Sequence, residues 1–246
     1  MDSLQVQRRV QRVRHELRSR PVQVSRIESL GESFASITFS GEALADFHSA
    51  GFDDHIKFIF DSPAGEQVRR DYTPRRFDVH KRELTIEFAL HGEGLASDWA
   101  SQAKVGQSAV IAGPRGSMIV PLDYDWHLLV GDASALPAIA RRLEELPAGS
   151  RALVLVEMAD PAGRRHFDSR AQVELSWLDD AEQLVAAVEA LELPEGEGFA
   201  WAAGEAAAMK RIRALLVEGK GHPKQAMRVA AYWRHGAAGF HEELGE

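Results

Sequence analysis

Cysteine is absent from all 246 residues, which excludes disulfides, thiolate zinc sites and cysteine-ligated iron–sulfur clusters together. The ten histidines are scattered, with neither HExxH nor a comparable ligand spacing, so no protein-held metal is expected. No uninterrupted apolar run approaches a membrane span, and the first residues lack the apolar core of a signal peptide. A soluble, cytoplasmic protein is the expectation. The chain also lacks G-x-G-x-x-G, internal repeats and low-complexity tracts.

What is present is of globular type: 45% apolar and 27% charged residues, enough chain for one large domain or two ordinary ones. The net charge of −8 is unevenly spread. Six arginines lie in the first twenty residues against Asp2 and Glu16, leaving 23 basic and 35 acidic residues beyond them. An acidic body argues against nucleic-acid binding, and an anionic substrate would need a local basic patch.

Along the chain the hydrophobic period changes twice. Over residues 3–18, Val6, Val10, Val13 and Leu17 recur at spacings of four, three and four, which predicts an amphipathic helix (residues 1–19) stopped by Pro21. Such a basic helix packs on its own domain or a partner more often than on a membrane. From Val22 the period is two: Val22–Ile27, Phe34–Phe39, His55–Phe60, Glu83–Leu90 and Ala109–Ala112 alternate as short strands. Hairpin spacing predicts an antiparallel β-barrel over 20–122. Beyond a seam near Pro121–Asp125, apolar runs (Trp126–Gly131, Ala152–Met158, Val173–Leu178, Phe199–Ala203, Arg228–Trp233) alternate with helical stretches (Leu136–Leu146, Leu184–Leu191, Ala206–Val217). That alternation predicts an α/β domain with a parallel sheet over 123–246.

The organising stretch is Arg69–Asp78. In an extended chain Arg70 and Tyr72 share a face, with Thr73 beside them. A flavin dinucleotide needs a cation for its pyrophosphate, a flat ring against its isoalloxazine and a short hydrogen-bonding group near its reactive nitrogen. The same residues also read as a basic hairpin edge with a half-buried tyrosine. His91-Gly92-Glu93-Gly94-Leu95-Ala96-Ser97-Asp98-Trp99 runs from a glycine-containing loop into a helix. It reads either as a phosphate cradle, with a hydroxyl from Ser97, or as a capped surface helix with Trp99 in the core. Gly131-Asp132-Ala133-Ser134 follows the first α/β strand, where a nicotinamide dinucleotide collects in open α/β sheets. Glu157 ends the second strand and could accept from a ribose hydroxyl or stand solvated. Gly204 and Glu205 allow close backbone approach and helix capping. Trp233 followed by Arg234 favours a stacking or anion site.

Taken in order, R-x-Y-T-x-R (Arg70–Arg75), HG-x-G-x-ASxWA (His91–Ala100), GPRGS (Gly113–Ser117), GD-x-x-ALPAI (Gly131–Ile139), WAAGE (Trp201–Glu205) and YWR-x-G (Tyr232–Gly236) make the chain resemble the siderophore-interacting protein family. These are flavin-containing ferric-siderophore reductases related to ferredoxin–NADP reductase. The resemblance implies FAD, held by Arg70, Tyr72 and Thr73 and, around the phosphates, by His91, Gly94, Ala96 and Ser97 with Trp99. It implies NADPH or NADH near Gly131, Asp132, Ser134, Glu157, Gly204, Glu205 and Trp233. Two departures stand out: Ala133 and Ser134 replace the acidic residue and threonine usual after Gly-Asp, and no lysine follows Arg234. Arg234 with Lys210 or Arg211 would then supply the charge for an anionic ferric chelate. The implied reaction passes hydride from NAD(P)H to flavin and then reduces Fe(III) by single electrons, with Tyr72 and Thr73 at the ring. Alternatives are a flavin reductase serving another acceptor and a carrier that holds ferric siderophore without turnover. A monomer is expected.

Overall fold

The computed structural model describes residues 9–90, 94–237 and 242–244. Strand β1 (Gln11–Arg14) is followed by β2 (Ser19–Ser29), β3 (Phe34–Ser40), β4 (Ile56–Asp61), β5 (Gln67–Tyr72), β6 (Arg76–Asp78) and β7 (Glu83–Ala89). Helix α1 (Leu95–Ser101) then leads into β8 (Ser108–Ala112) and β9 (Gly116–Ile119). Strands β2 to β8 form a curled seven-stranded antiparallel sheet in the order β5-β4-β8-β2-β3-β7-β6. Its period-two pattern works as alternation should: Phe39, Phe58, Ile86, Phe88 and Ile111 are fully buried on one face. Each such side chain contributes about 2–3 kcal/mol by leaving water.

The second sheet begins at β10 (Trp126–Gly131). It continues through α2 (Leu136–Glu145), β11 (Arg151–Glu157), β12 (Gln172–Leu178), α3 (Ala181–Ala190), β13 (Gly198–Glu205), α4 (Ala206–Ala214), β14 (Met227–Trp233) and β15 (Glu242–Glu243). The order is β12-β11-β10-β13-β14-β15. The first five strands are mutually parallel; β15 runs antiparallel on β14, so the sheet is mixed rather than purely parallel. All six residues of β10 are buried, as its unbroken apolar run requires for a strand covered on both faces.

The expected N-terminal helix is corrected. Residues 1–8, with Val6, lie outside the described residues, while Gln11–Arg14 is a strand paired antiparallel with β9. The 3–4 spacing imitates an apolar stripe, yet Val13 is 40% exposed and Leu17 56%, so no such stripe is buried. The free edge of β9 offers β1 backbone partners instead. A Cβ at Gly116 would lie 2.5 Å from the Val13 carbonyl oxygen, so only glycine permits the approach. Arg9 clamps this segment, stacked over Tyr124 at 4.3 Å and bonded to Glu197 at 2.6 Å.

The two sheets share apolar core. Phe34, Phe52, Met118 and Val120 cluster with Leu129, Val154 and Trp201. Polar bonds join them as well: Asp53, from the β3–β4 connection, accepts from the buried Trp201 indole at 2.9 Å and lies 2.8 Å from Arg228 Nε. At the seam, the buried Arg142 of α2 donates to the carbonyls of Val120 and Pro121. No helix among the described residues is long and apolar enough to cross a membrane.

Candidate functional site

Tyr72 closes β5. Its ring packs at 4.5 Å from Phe88 and edge-on to Phe58 at 6.0 Å, leaving it half-buried. Burial pushes the hydroxyl well above the ordinary tyrosine range, so it stays protonated and neutral. Arg70 shares the Tyr72 face, opposite Phe58 as Tyr72 is opposite Ile56. Its guanidinium donates to the Arg69 carbonyl at 2.9 Å. Thr73 is buried, and no protein hydrogen bond involves its hydroxyl among the described residues.

The next residues are fixed from the second sheet. Arg141 of α2 donates to the Pro74 carbonyl at 3.1 Å and to Ser49. Arg75 is 6% exposed and paired with Glu144 of α2 and with Glu87, itself 7% exposed; the Glu87 contact is close at 3.0 Å but not aligned as a hydrogen bond. Burial works against the charge of Glu144, but hydrogen bonds from Arg75 and Arg76 prevail and hold its carboxyl down at about 2. Arg165 completes the network on Glu87 at 2.6 Å.

Helix α1 begins at Gly94, an N-cap with no side-chain hydrogen bond, and a Cβ there would meet nothing within 4 Å. The Ala96 and Ser97 amides therefore start a helix without a capping side chain. Trp99 is packed among Phe39, Phe58, Phe60 and Phe88, so its ring belongs to the aromatic core. His91, with Gly92 and Glu93, lies outside the described residues. A cation on the same strand face as a half-buried ring, a threonine hydroxyl with no protein partner among the described residues, and uncapped amides fit the pyrophosphate, ring, reactive edge and phosphates of a flavin dinucleotide.

The second group gathers where β10, β11, β13 and β14 end. Asp132 is the hub, 6% exposed. One oxygen accepts from the Ser134 amide and hydroxyl at 2.9 and 2.5 Å; the other accepts from the Glu205 amide at 2.9 Å and the Trp233 indole at 2.8 Å. The glycines are steric requirements here. A Cβ at Gly131 would lie 2.3 Å from that of Ala135, and one at Gly204 would lie 2.5 Å from the Asp132 carboxylate. Glu205 caps α4 by accepting from the Ala207 and Ala208 amides through one carboxylate oxygen. Trp233 is anchored by its N–H and keeps 42% of its surface exposed, leaving ring for stacking.

Glu157 stands differently. No hydrogen bond or ion pair involves its carboxylate among the described residues. Burial, then repulsion from Asp132, Asp180 and Glu205, raises it to about 6. Arg234 is exposed. Lys210 and Arg211 are directed at different carboxylates: Lys210 lies 3.9 Å from Glu242, and Arg211 binds Glu182 of α3. Sequence reasoning named Asp132 as a nucleotide contact but not as the hub of its turn, and it missed the α2 pair Arg141 and Glu144. The only local signal of Arg141 and Glu144 was charge on an otherwise apolar helix.

The chain matches the siderophore-interacting protein family over residues 124–236 and the siderophore-interacting FAD-binding domain over 23–69 and 64–118. It is 37% identical to an NADPH-dependent ferric-chelate reductase of Escherichia coli, covering 91% of this chain and 96% of the relative. It is 28% identical to the ferric vibriobactin reductase ViuB of Vibrio cholerae, covering 87% and 89%. Among solved structures, a siderophore utilization protein from T. fusca superimposes with a TM-score of 0.88 at 33% identity, covering 94% of this chain and 98% of that one. A ferredoxin reductase of carbazole 1,9a-dioxygenase, at 18% identity and a TM-score of 0.67, shares the fold.

Proposed function

The chain belongs to the siderophore-interacting protein family, and on that premise we propose that it is an NAD(P)H-dependent, FAD-containing reductase of ferric siderophores or other ferric chelates. We read residues 20–122 as a flavin-binding barrel domain and 123–246 as the nucleotide-binding domain of a cytoplasmic monomer. The observation that carries the reading is the Tyr72–Thr73 edge. It is tied through Pro74 and Arg75 to α2, the helix that grows out of the Gly131–Ser134 turn.

Bound FAD supplies the junction between a two-electron hydride donor and a one-electron acceptor. The residues of the chain bind and orient. Arg70 would offset pyrophosphate charge, Tyr72 would lie against the flavin ring, and Thr73 would hydrogen-bond at its edge. Ala96 and Ser97 would present amides to the phosphates, and His91 is assigned to the same group from the sequence. On the other side Asp132 rigidifies the turn that receives the nicotinamide nucleotide, and Trp233 offers a fixed ring. Arg234, exposed at the end of β14, is assigned the positive charge for an anionic chelate; Lys210 and Arg211 face Glu242 and Glu182. Release follows from ligand hardness: oxygen donors hold Fe(III) better than Fe(II), so reduction loosens the complex.

The test is titration of the purified protein with FAD, then anaerobic addition of NAD(P)H and trapping of Fe(II) from a ferric chelate. Flavin uptake, bleaching by nucleotide and Fe(II) release are expected. Tyr72→Ala should weaken FAD binding about tenfold, the scale of one lost aromatic contact. A protein that takes up no FAD refutes the reading.

A further inference from the structure

We propose that Arg141 is a positioning residue for flavin reduction. From α2 its guanidinium fixes the backbone that carries Thr73 at the flavin edge, and a buried hydrogen-bond network reaching out to the N-terminal arm fixes Arg141 in turn. This rests on the reading of Tyr72 and Thr73 as that edge.

The segment needs a hold from outside its own sheet. Strand β5 ends at Tyr72 and β6 begins at Arg76, so Thr73 and Pro74 fall outside both ladders. The Arg75 amide returns to the Thr85 carbonyl at 2.9 Å, but Pro74 has no N–H to anchor. Its carbonyl is what can be gripped, and Arg141 Nη1 donates to it at 3.1 Å. The residue just before it, Thr73, is thereby set in place from the second sheet.

Arg141 is itself immobilised. It is buried, and its planar fork makes three further bonds: Nη1 to Ser49 Oγ at 2.8 Å, Nη2 to the Ser49 carbonyl at 3.0 Å and Nε to Glu145 at 2.9 Å. A rigid fork bonded to both Ser49 and Pro74 sets the spacing between the β3–β4 connection and the segment after β5.

Behind Ser49 stands the buried Asp54. Its Oδ2 accepts from Ser49 Oγ at 2.8 Å, from the Gly51 amide at 3.1 Å and from Ser117 Oγ at 2.5 Å. Ser117, the last residue of the GPRGS block, accepts from the Ala50 amide at 3.1 Å and lies 2.8 Å from His15 Nε2. Because the Ser117 proton goes to Asp54, the His15 ring is the donor, and the arm that begins with β1 ends on this network. Among the described residues, no buried side-chain atom of Ser49, Asp54, Ser117 or Arg141 lacks a partner. A satisfied buried network of this kind holds one arrangement.

The reaction makes position count. A hydride carries both electrons of the nicotinamide C–H bond to the flavin, leaving oxidised nucleotide and reduced anionic flavin, so the step asks no acid or base of the chain. What the chain supplies is geometry, and about 1 Å of misplacement caused far from the chemistry is enough to lower the rate roughly a hundredfold.

The experiment uses full-length protein, first without added FAD and then loaded with it. In the first state, hydrogen exchange of the segment holding Thr73 and Arg75 is followed. In the second, FAD affinity is measured, together with the limiting rate and KM of flavin bleaching by NAD(P)H. Arg141→Ala should speed the exchange about tenfold and lower the limiting rate about 10- to 100-fold. FAD affinity and KM should stay within about threefold of native. Ser49→Ala removes one bond of the fork and should act in the same direction, by about three- to tenfold in rate. It carries the test if thermal melting shows that Arg141→Ala does not fold. Native exchange and limiting rate in every folded variant, or a loss confined to KM or FAD affinity, overturns the inference and leaves the reductase reading intact. Native protein that takes up no FAD overturns both.

Discussion

The edge that ends β5 and the rim where β10, β11 and β13 end are charged in opposite senses. Arg70, Arg75 and Arg76 crowd the first, whereas Asp132, Glu157, Asp180 and Glu205 crowd the second. Each side handles its charge differently. At the first edge Arg75 is buried and matched by Glu87 and Glu144, so cation and anion are spent on joining the sheets. At the rim, three carboxylates are matched by amides, a hydroxyl and an indole rather than by cations, and one is left over. Two dinucleotides presented to such surfaces would be held by different means: side-chain cations on one side, shape and backbone donors on the other. The rim therefore tolerates an anionic ligand only so far as the chain supplies N–H groups for it.

The largest effect should come from breaking the arginine side. Arg75→Ala leaves Glu87 and Glu144 with one arginine each in partly desolvated positions, and about 3 kcal/mol of stability should be lost in urea unfolding. A loss under 0.5 kcal/mol would show that apolar contact alone holds the sheets together.

Acid sharpens the comparison further, because the two sides respond with opposite sign. Glu157 has a folded-state value raised to about 6. It binds protons more readily folded than unfolded, so its contribution falls as pH rises from about 4.5 through 6. Glu144 is held at about 2, so its stabilisation is complete above the unfolded carboxylate range and disappears as pH falls from about 4.5 to 2. Each limb should amount to about 1 kcal/mol once solvent screening is allowed for. Stability should peak near pH 5. Glu157→Gln should flatten the upper limb and Glu144→Gln the lower; a profile that both variants leave unchanged would refute the assignment.

The smallest expected effect concerns substrate. Arg234→Ala should raise KM for an anionic ferric chelate by about three- to tenfold, with flavin content unchanged, while a neutral chelate should barely respond. Equal KM values for native protein and variant would place the substrate patch elsewhere.

Much of the fold was legible because burial is encoded locally. Strand β10 could be read to the residue, since its run is apolar but for His127 and all six positions are buried. Phe34–Phe39 announced β3 by alternation. Strand β1 was not legible: its partner is a backbone edge more than a hundred residues away, and Val10, Val13 and Leu17 happen to fall at helical spacing. The site divided along the same line. Tyr72 and Thr73 are adjacent in sequence and stand together in the structure. By contrast, Asp132 read as a nucleotide contact, while its carboxylate serves Ser134, Glu205 and Trp233, the last 101 residues away. Trp99 could be read equally as a ligand contact or as core, and packing decides for the core.

Helix α2 acts as a ruler. Its ten residues span about 15 Å, with the Gly131–Ser134 turn at one end and the grips on Pro74 and Arg75 near the other. Inserting a single residue before Arg141 would swing Arg141 and Glu144 by about 100° around the axis and release both grips at once. The same insertion after Leu146, in the turn before Arg151, would leave that spacing untouched. Length variation among related chains should therefore collect beyond the helix and avoid its body.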